Sequence, residues 1–223
     1  MKPALATRLW HWTNAAALTV LFMSGLNISN AHRYLYWGDY GFDPQDAWAR
    51  VIRFPAWATI PQRYDLAEAR DWHNSAAWVF ALGLLVIWTA SLVNRHFWRD
   101  VATRWNDWKP AAWKHAVAQH TRDDVVHEGR YNALQKIAYG GVLGVLLPLM
   151  VFTGLAISPG IEPALPWLGD LLGGRQSARS IHFITAWTLF AFAVGHVALA
   201  FAPGQRAALR AMLTGRIEEQ PHD

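Results

Sequence analysis

Two histidines, His182 and His196, lie in one stretch of chain with no Asp, Glu, Lys or Arg between them. On a helix, fourteen residues at ~100° each close four turns to within about 40°, so both rings face one side and stand about 21 Å apart. An ionisable side chain inside a bilayer is costly, and its presence there is a functional hypothesis by default. Imidazole is also a metal ligand. Two imidazoles stacked at that interval point to one axial ligand for each of two haems. A b-type haem takes axial nitrogens from opposite faces of its porphyrin, so each would need a second histidine from a facing helix. Two such ligands leave no open position, which suits electron transfer better than oxygen binding.

The second histidines follow from depth. His73 lies two residues beyond Asp71 and His182 three beyond Arg179, which puts both just inside one edge of a membrane. His11 lies three beyond Arg8, and His196 seven before Pro203, both nearer the opposite edge. The pairs that can meet are His73 with His182 and His11 with His196. The second match is looser, and helix tilt would have to absorb the difference. Arginine precedes histidine by three residues three times: Arg8 to His11, Arg70 to His73, Arg179 to His182. Positions three apart share a helix face, and guanidinium is well shaped for the carboxylates of haem propionates. Cations also flank membrane helices for ordinary reasons.

These residues need elements to hold them. Runs free of Asp, Glu, Lys and Arg cover Leu9–His32, Trp72–Asn94, Ile137–Ile161 and Ser180–Gln205, which are 24, 23, 25 and 26 residues long. About 20 apolar residues cross the hydrocarbon layer as a helix. The expectation is therefore an all-α integral membrane four-helix bundle, with helices at about 5–30, 72–94, 132–158 and 180–203. The connections are too short for a separate soluble domain, so residues 1–223 read as a single membrane domain. The N-terminus reads as an uncleaved anchor, because its apolar run exceeds that of a signal peptide.

Charge distribution orients the bundle. Of 20 Lys and Arg, thirteen precede the first span, join the second to the third, or follow the fourth; seven lie in the other two loops. By the positive-inside rule both termini are cytoplasmic. The net charge of +4 is thus a topological signal and an attraction to anionic lipid, not a nucleic-acid footprint. The absence of cysteine excludes disulfides, thiolate-held iron–sulfur clusters and covalent c-type haem. Any haem is held noncovalently.

The long first outer loop, Arg33 to Arg70, is aromatic and punctuated by Pro44, Pro55 and Pro61. It reads as folded at the headgroup level. The long inner loop, Arg95 to Arg130, mixes Trp with cations and reads as an interfacial basic segment. Its His96, His115, His120 and His127 share no ligand spacing. A weak internal repeat joins the two helical hairpins. Ser24-Gly25-Leu26 near the end of the first span matches Thr153-Gly154-Leu155 near the end of the third, and His73 with Ala77-Trp78 matches His182 with Ala186-Trp187. Gly25, Gly83, Gly140, Gly141, Gly144, Gly154 and Gly195 could admit a flat porphyrin, but small residues equally serve helix packing, the reading preferred for most of them.

Arg8-Leu-Trp-His11-Trp, the Ser-Gly-Leu turn, His73 and the paired histidines of the fourth span resemble the bacterial cytochrome b561 and nickel–iron hydrogenase b-subunit superfamily. That superfamily includes the cytochrome subunits of formate dehydrogenase and thiosulfate reductase, and the resemblance covers essentially the whole chain. The aromatic outer loop after Asn30-Ala-His32 and the tail Ala211-Met-Leu-Thr-Gly-Arg216 look most like the thiosulfate reductase cytochrome b branch, whose members serve periplasmic molybdopterin oxidoreductases. The resemblance implies two noncovalent haem b, held by His11 and His196 at the inner face and by His73 and His182 at the outer. Tyr131-Asn132-Ala-Leu-Gln135-Lys136 is similar to the formate dehydrogenase cytochrome subunit, which implies Asn132 and Gln135 beside a quinone. The implied protein is a multi-pass subunit of the bacterial inner membrane. It would move electrons between quinone or quinol and a periplasmic molybdopterin-dependent oxidoreductase. A standalone quinol oxidoreductase and a small histidine-using transporter are the alternatives. His32, at the outer end of the first span, departs from the pattern and reads as an interfacial histidine.

Overall fold

The computed structural model describes residues 5–95, 109–111, 114, 136, 138, 140–201 and 206–215. Asn132 and Gln135, and the inner-loop His96, His115, His120 and His127, lie outside the described residues. The chain falls into two compact units. One comprises Met1–Trp12, Leu85–Val145 and Ala191–Asp223, the other Thr13–Leu84 and Leu146–Phe190.

The protein is mostly helical. Helix α1 spans Leu5–Ala31, α2 Leu66–Val93, α3 Leu147–Ile157, α4 Pro166–Leu171, α5 Arg175–Ala200 and α6 Arg206–Thr214. By length and composition α2 and α5 can cross a membrane, and the segment Val142–Ile157 is a shorter apolar helix. At 27 residues α1 is long enough, but it carries Asn14, Ser24 and Asn27 as buried polar residues, which dilute its apolar character. Among the described residues, α2 and α5 are thus the two clear apolar spans.

Helix ends extend past the charge-free runs. Helix α2 begins six residues before the expected 72, because Asp65 accepts from the Glu68 backbone N–H at 3.0 Å and caps the first turn. Helix α5 begins five residues before the expected 180. Its first orphan amides, on Gln176 and Ser177, donate to the Gly38 carbonyl at 2.9 and 3.1 Å. Gly174 just before it sits at φ +102°, a conformation L side chains rarely adopt. Ahead of α3 the helix takes a π-helical turn at Val142–Leu146. Pro148 follows, and a residue without an N–H that clashes with the preceding turn is a usual cause of such a break.

The first outer loop is ordered by contacts within the second unit. Strands β1, Tyr34–Leu35, and β2, Ala49–Arg50, pair antiparallel with Tyr34 opposite Arg50. Leu26, Leu35, Val51 and Phe54 form a buried cluster against Phe22, Phe183 and Trp187. Its polar tethers are specific. Asn27 Nδ2 donates to the Pro61 and Arg63 carbonyls at 3.1 and 2.7 Å. The indole of Trp48 donates to Ser180 Oγ at 3.0 Å, and that hydroxyl donates to the Tyr36 carbonyl at 2.6 Å. The loop, expected to lie folded at headgroup level, carries a short β ladder and the helical turns Pro44–Asp46 and Ala56–Ala58.

Candidate functional site

Each histidine expected as a ligand meets the partner assigned to it. In the second unit, His73 of α2 and His182 of α5 face each other with ring centroids 6.3 Å apart and planes inclined 59°. In the first unit, His11 of α1 and His196 of α5 stand 6.2 Å apart at 60°. A metal–imidazole nitrogen bond of ~2 Å places the ring centroid ~3 Å from the metal. Two trans imidazoles therefore have centroids about 6 Å apart, the separation found in both pairs. Among the described residues no three His, Cys, Asp or Glu converge. Paired imidazoles alone make a poor metal site, since protein-built sites use three or four ligands. They suit a porphyrin, which brings its own four nitrogens.

The outer pair has a second layer that the sequence reading did not anticipate. Ser24 Oγ of α1 lies 3.0 Å from His73 Nδ1, and Thr153 Oγ1 of α3 lies 2.8 Å from His182 Nδ1. Each hydroxyl also bonds back to its own helix, to the Val20 carbonyl at 2.6 Å and to the Leu149 carbonyl at 2.6 Å. Both serine and threonine are fully buried. The glycine after each hydroxyl residue lies beside the ring: a Cβ on Gly25 would stand 3.6 Å from His73 Cε1, and one on Gly154 would stand 3.5 Å from His182 Cε1, both ordinary contacts. The Ser-Gly and Thr-Gly repeat was the signal in the sequence. Its meaning required knowing which imidazole each dipeptide meets.

Among the described residues, a Cβ at Gly140, Gly141, Gly144 or Gly195 would meet nothing within 4 Å. The His196 ring stacks on that of Phe192, with centroids 6.1 Å apart.

The arginines divide. Arg70 Nη2 lies 3.3 Å from His32 Nε2, just beyond the end of α1. Arg179 donates to the Tyr34 carbonyl, and its Nε is buried with no partner among the described residues. The ion pairs among the described residues are Arg63 with Asp65 and Glu68, and Arg175 with Glu162; neither Arg70 nor Arg179 is neutralised there. Among the described residues neither guanidinium meets a carboxylate, and Arg179 keeps a buried Nε with no partner there. Burial first, then the Arg179 and Arg70 charges, hold the His32 imidazole below its ordinary pKa. Arg8, by contrast, is engaged by α6: its Nε donates to the Met212 carbonyl at 3.0 Å and its Nη2 to the Leu213 carbonyl.

Residues 4–215 match the family described as prokaryotic cytochrome b561. The chain belongs to that family. Its members are integral membrane proteins that bind b-type haem, and this cytochrome is an electron-transfer subunit of that kind. It is 28% identical over 200 residues to a protein of Azospira oryzae named as a protein-methionine-sulfoxide reductase subunit, YedZ1, with 86% of each chain covered. It is 23% identical over 234 residues to a protein of Cupriavidus necator named as a Ni/Fe-hydrogenase B-type cytochrome subunit, covering 93% of this chain and 82% of that one. No solved structure matches it.

The residues present fit the family's group. The two imidazole pairs, His11 with His196 and His73 with His182, would each hold a haem iron between them, and Arg179 near His182 offers a buried donor without a partner among the described residues.

Proposed function

We propose that this cytochrome is the diheme, quinone-linked membrane subunit of an oxidoreductase. It passes electrons between quinone or quinol and a periplasmic catalytic partner of the molybdopterin type. The observation that carries the reading is the pair of imidazole–imidazole separations, 6.2 and 6.3 Å, repeated at two places along α5. His11 with His196 hold one haem b and His73 with His182 the other, both noncovalently since the chain has no cysteine.

Bound haem iron supplies reversible one-electron chemistry. The chain's own residues do the rest. The four histidines would hold the two irons, and with two imidazoles each the bound groups would suit electron transfer rather than oxygen binding. Arg70 and Arg179, unneutralised by the described carboxylates, take the outer propionates. Arg8 is assigned to the inner propionates alongside its bond to α6. Asn132 and Gln135 are assigned to quinone near the inner pair, on the resemblance to the formate dehydrogenase cytochrome subunit. The domain is a four-helix bundle of the bacterial inner membrane with cytoplasmic termini, supported by the four charge-free runs and the excess of cations on one side. The names of the relatives, a methionine-sulfoxide reductase subunit and a hydrogenase subunit, support a catalytic oxidoreductase as partner.

Pyridine-haemochrome stoichiometry on the purified chain tests the assignment. Two haems per chain are expected, falling to one when either His182 or His196 is replaced by alanine. Unchanged stoichiometry in the His182→Ala, His196→Ala double variant would overturn it. Copurification with a molybdenum-containing subunit separates the partnered from the standalone reading, and a colourless purified protein would favour transport.

A further inference from the structure

The buried hydroxyls of Ser24 and Thr153 have a single proton each and three neighbours within reach of it: two carbonyls of their own helix and one imidazole. Ser24 Oγ lies 2.6 Å from the Val20 carbonyl and Thr153 Oγ1 lies 2.6 Å from the Leu149 carbonyl. A carbonyl oxygen can only accept, so each hydroxyl donates there, four residues back along its own helix. The oxygen then has only lone pairs to offer the imidazole. At 3.0 and 2.8 Å, His73 Nδ1 and His182 Nδ1 therefore carry the protons and donate toward Ser24 Oγ and Thr153 Oγ1, with the Leu21 and Met150 carbonyls as further acceptors. That leaves Nε2 of both rings bare, the form a metal ligand requires.

The arrangement occurs twice, on opposite rings of one pair. Thr153 stands to His182 as Ser24 stands to His73, and in each case the next residue is a glycine whose added Cβ would touch Cε1 at ordinary van der Waals distance. We propose that Ser24 and Thr153 are positioning residues for the outer haem, fixing both imidazoles as Nε2 ligands and tuning the iron through their Nδ1–H bonds. This rests on the reading of His73 and His182 as axial ligands. An acceptor on the distal N–H makes an imidazole a stronger donor to the metal, and a stronger donor favours ferric over ferrous iron. Because the hydroxyls are neutral their pull is weaker than a carboxylate's, though donating to a carbonyl polarises each into a better acceptor, and the two act on opposite rings of the pair.

Redox titration of the purified, haem-loaded protein with low-temperature EPR of the ferric state tests this. Ser24→Ala and Thr153→Val each remove one acceptor with little change of volume. Each is expected to keep two haems, to shift the ferrous-to-ferric ratio of one haem by up to about tenfold toward ferrous, equivalent to about 59 mV for one electron, and to move that haem's low-spin g-values. Ser24→Thr and Thr153→Ser retain the hydroxyl and should restore the parent potential. Should one of the alanine or valine variants fail to fold, the other reads the same haem from its opposite face. Two retained haems with parent potentials and parent g-values in the hydroxyl-free variants would overturn the proposal. A parent protein that purifies without haem would overturn the ligand assignment, and this role with it, so the two failures are distinguishable.

Discussion

Arg8, at the start of α1, donates from Nε to the carbonyl of Met212 near the end of α6, 3.0 Å away and 204 residues on in sequence. Trp12, one turn further along α1, donates from its indole to the same carbonyl at 3.2 Å. The last carbonyls of a helix have no partner within it, and a cation there also meets the negative end of the helix dipole. Arg8 thus closes the C-terminus of α6 and ties it to the helix that carries His11.

Replacing Arg8 by Gln should loosen that end of α6 by about 1 kcal/mol, the net worth of a partly exposed hydrogen bond. Hydrogen exchange would show it as faster exchange of the amides of Ala211 to Gly215, with the amides around Ser180 unchanged. Equal protection in both proteins would show that the tether contributes nothing.

Gly154 has a graded tolerance. An alanine Cβ at 3.5 Å from His182 Cε1 is an ordinary van der Waals contact, so Gly154→Ala should keep the parent haem content. Leucine cannot fit without displacing the imidazole, and Gly154→Leu should lower haem content by about one haem per chain. The haem-to-protein absorbance ratio reads both variants. A full complement in the leucine variant would mean that His182 is not confined there.

His32 offers a titration. Burial, Arg179 and Arg70 all lower its pKa, so the folded chain binds this proton less readily than the unfolded chain does. The associated stability is complete above the ordinary imidazole pKa of about 6.5 and is lost as pH falls below it toward the depressed folded value. A carboxylate seated between Arg70 and Arg179 acts in the opposite direction. Histidine-selective NMR should therefore find the His32 midpoint higher in haem-loaded than in haem-depleted protein, and Arg70→Gln should raise it in the depleted form. Identical midpoints in loaded and depleted protein would place the propionates elsewhere.

Much of the site could be read from one dimension. The depth of each histidine follows from its distance to the nearest charge, because charged side chains mark where a helix leaves the hydrocarbon, and the two pairs found are the two expected. Helix boundaries were less legible: Asp65 and Gly38 supply caps from outside the charge-free runs, and capping depends on what reaches the end of a helix. The role of Ser24 and Thr153 was hidden for a related reason. Their bonds to His73 and His182 span 49 and 29 residues, and no local pattern marks a serine as facing an imidazole.

What the chain's order of residues determined by itself is chemical inventory and depth. It places four of the ten histidines toward the ends of charge-free runs and supplies no thiol, because burying charge is costly and an apolar run must obey that cost. Which nitrogen is protonated, which arginine stays unneutralised and which is taken up by α6 were decided only when the helices packed. Those properties belong to distances of about 3 Å between atoms remote in sequence, and only a folded chain has such distances.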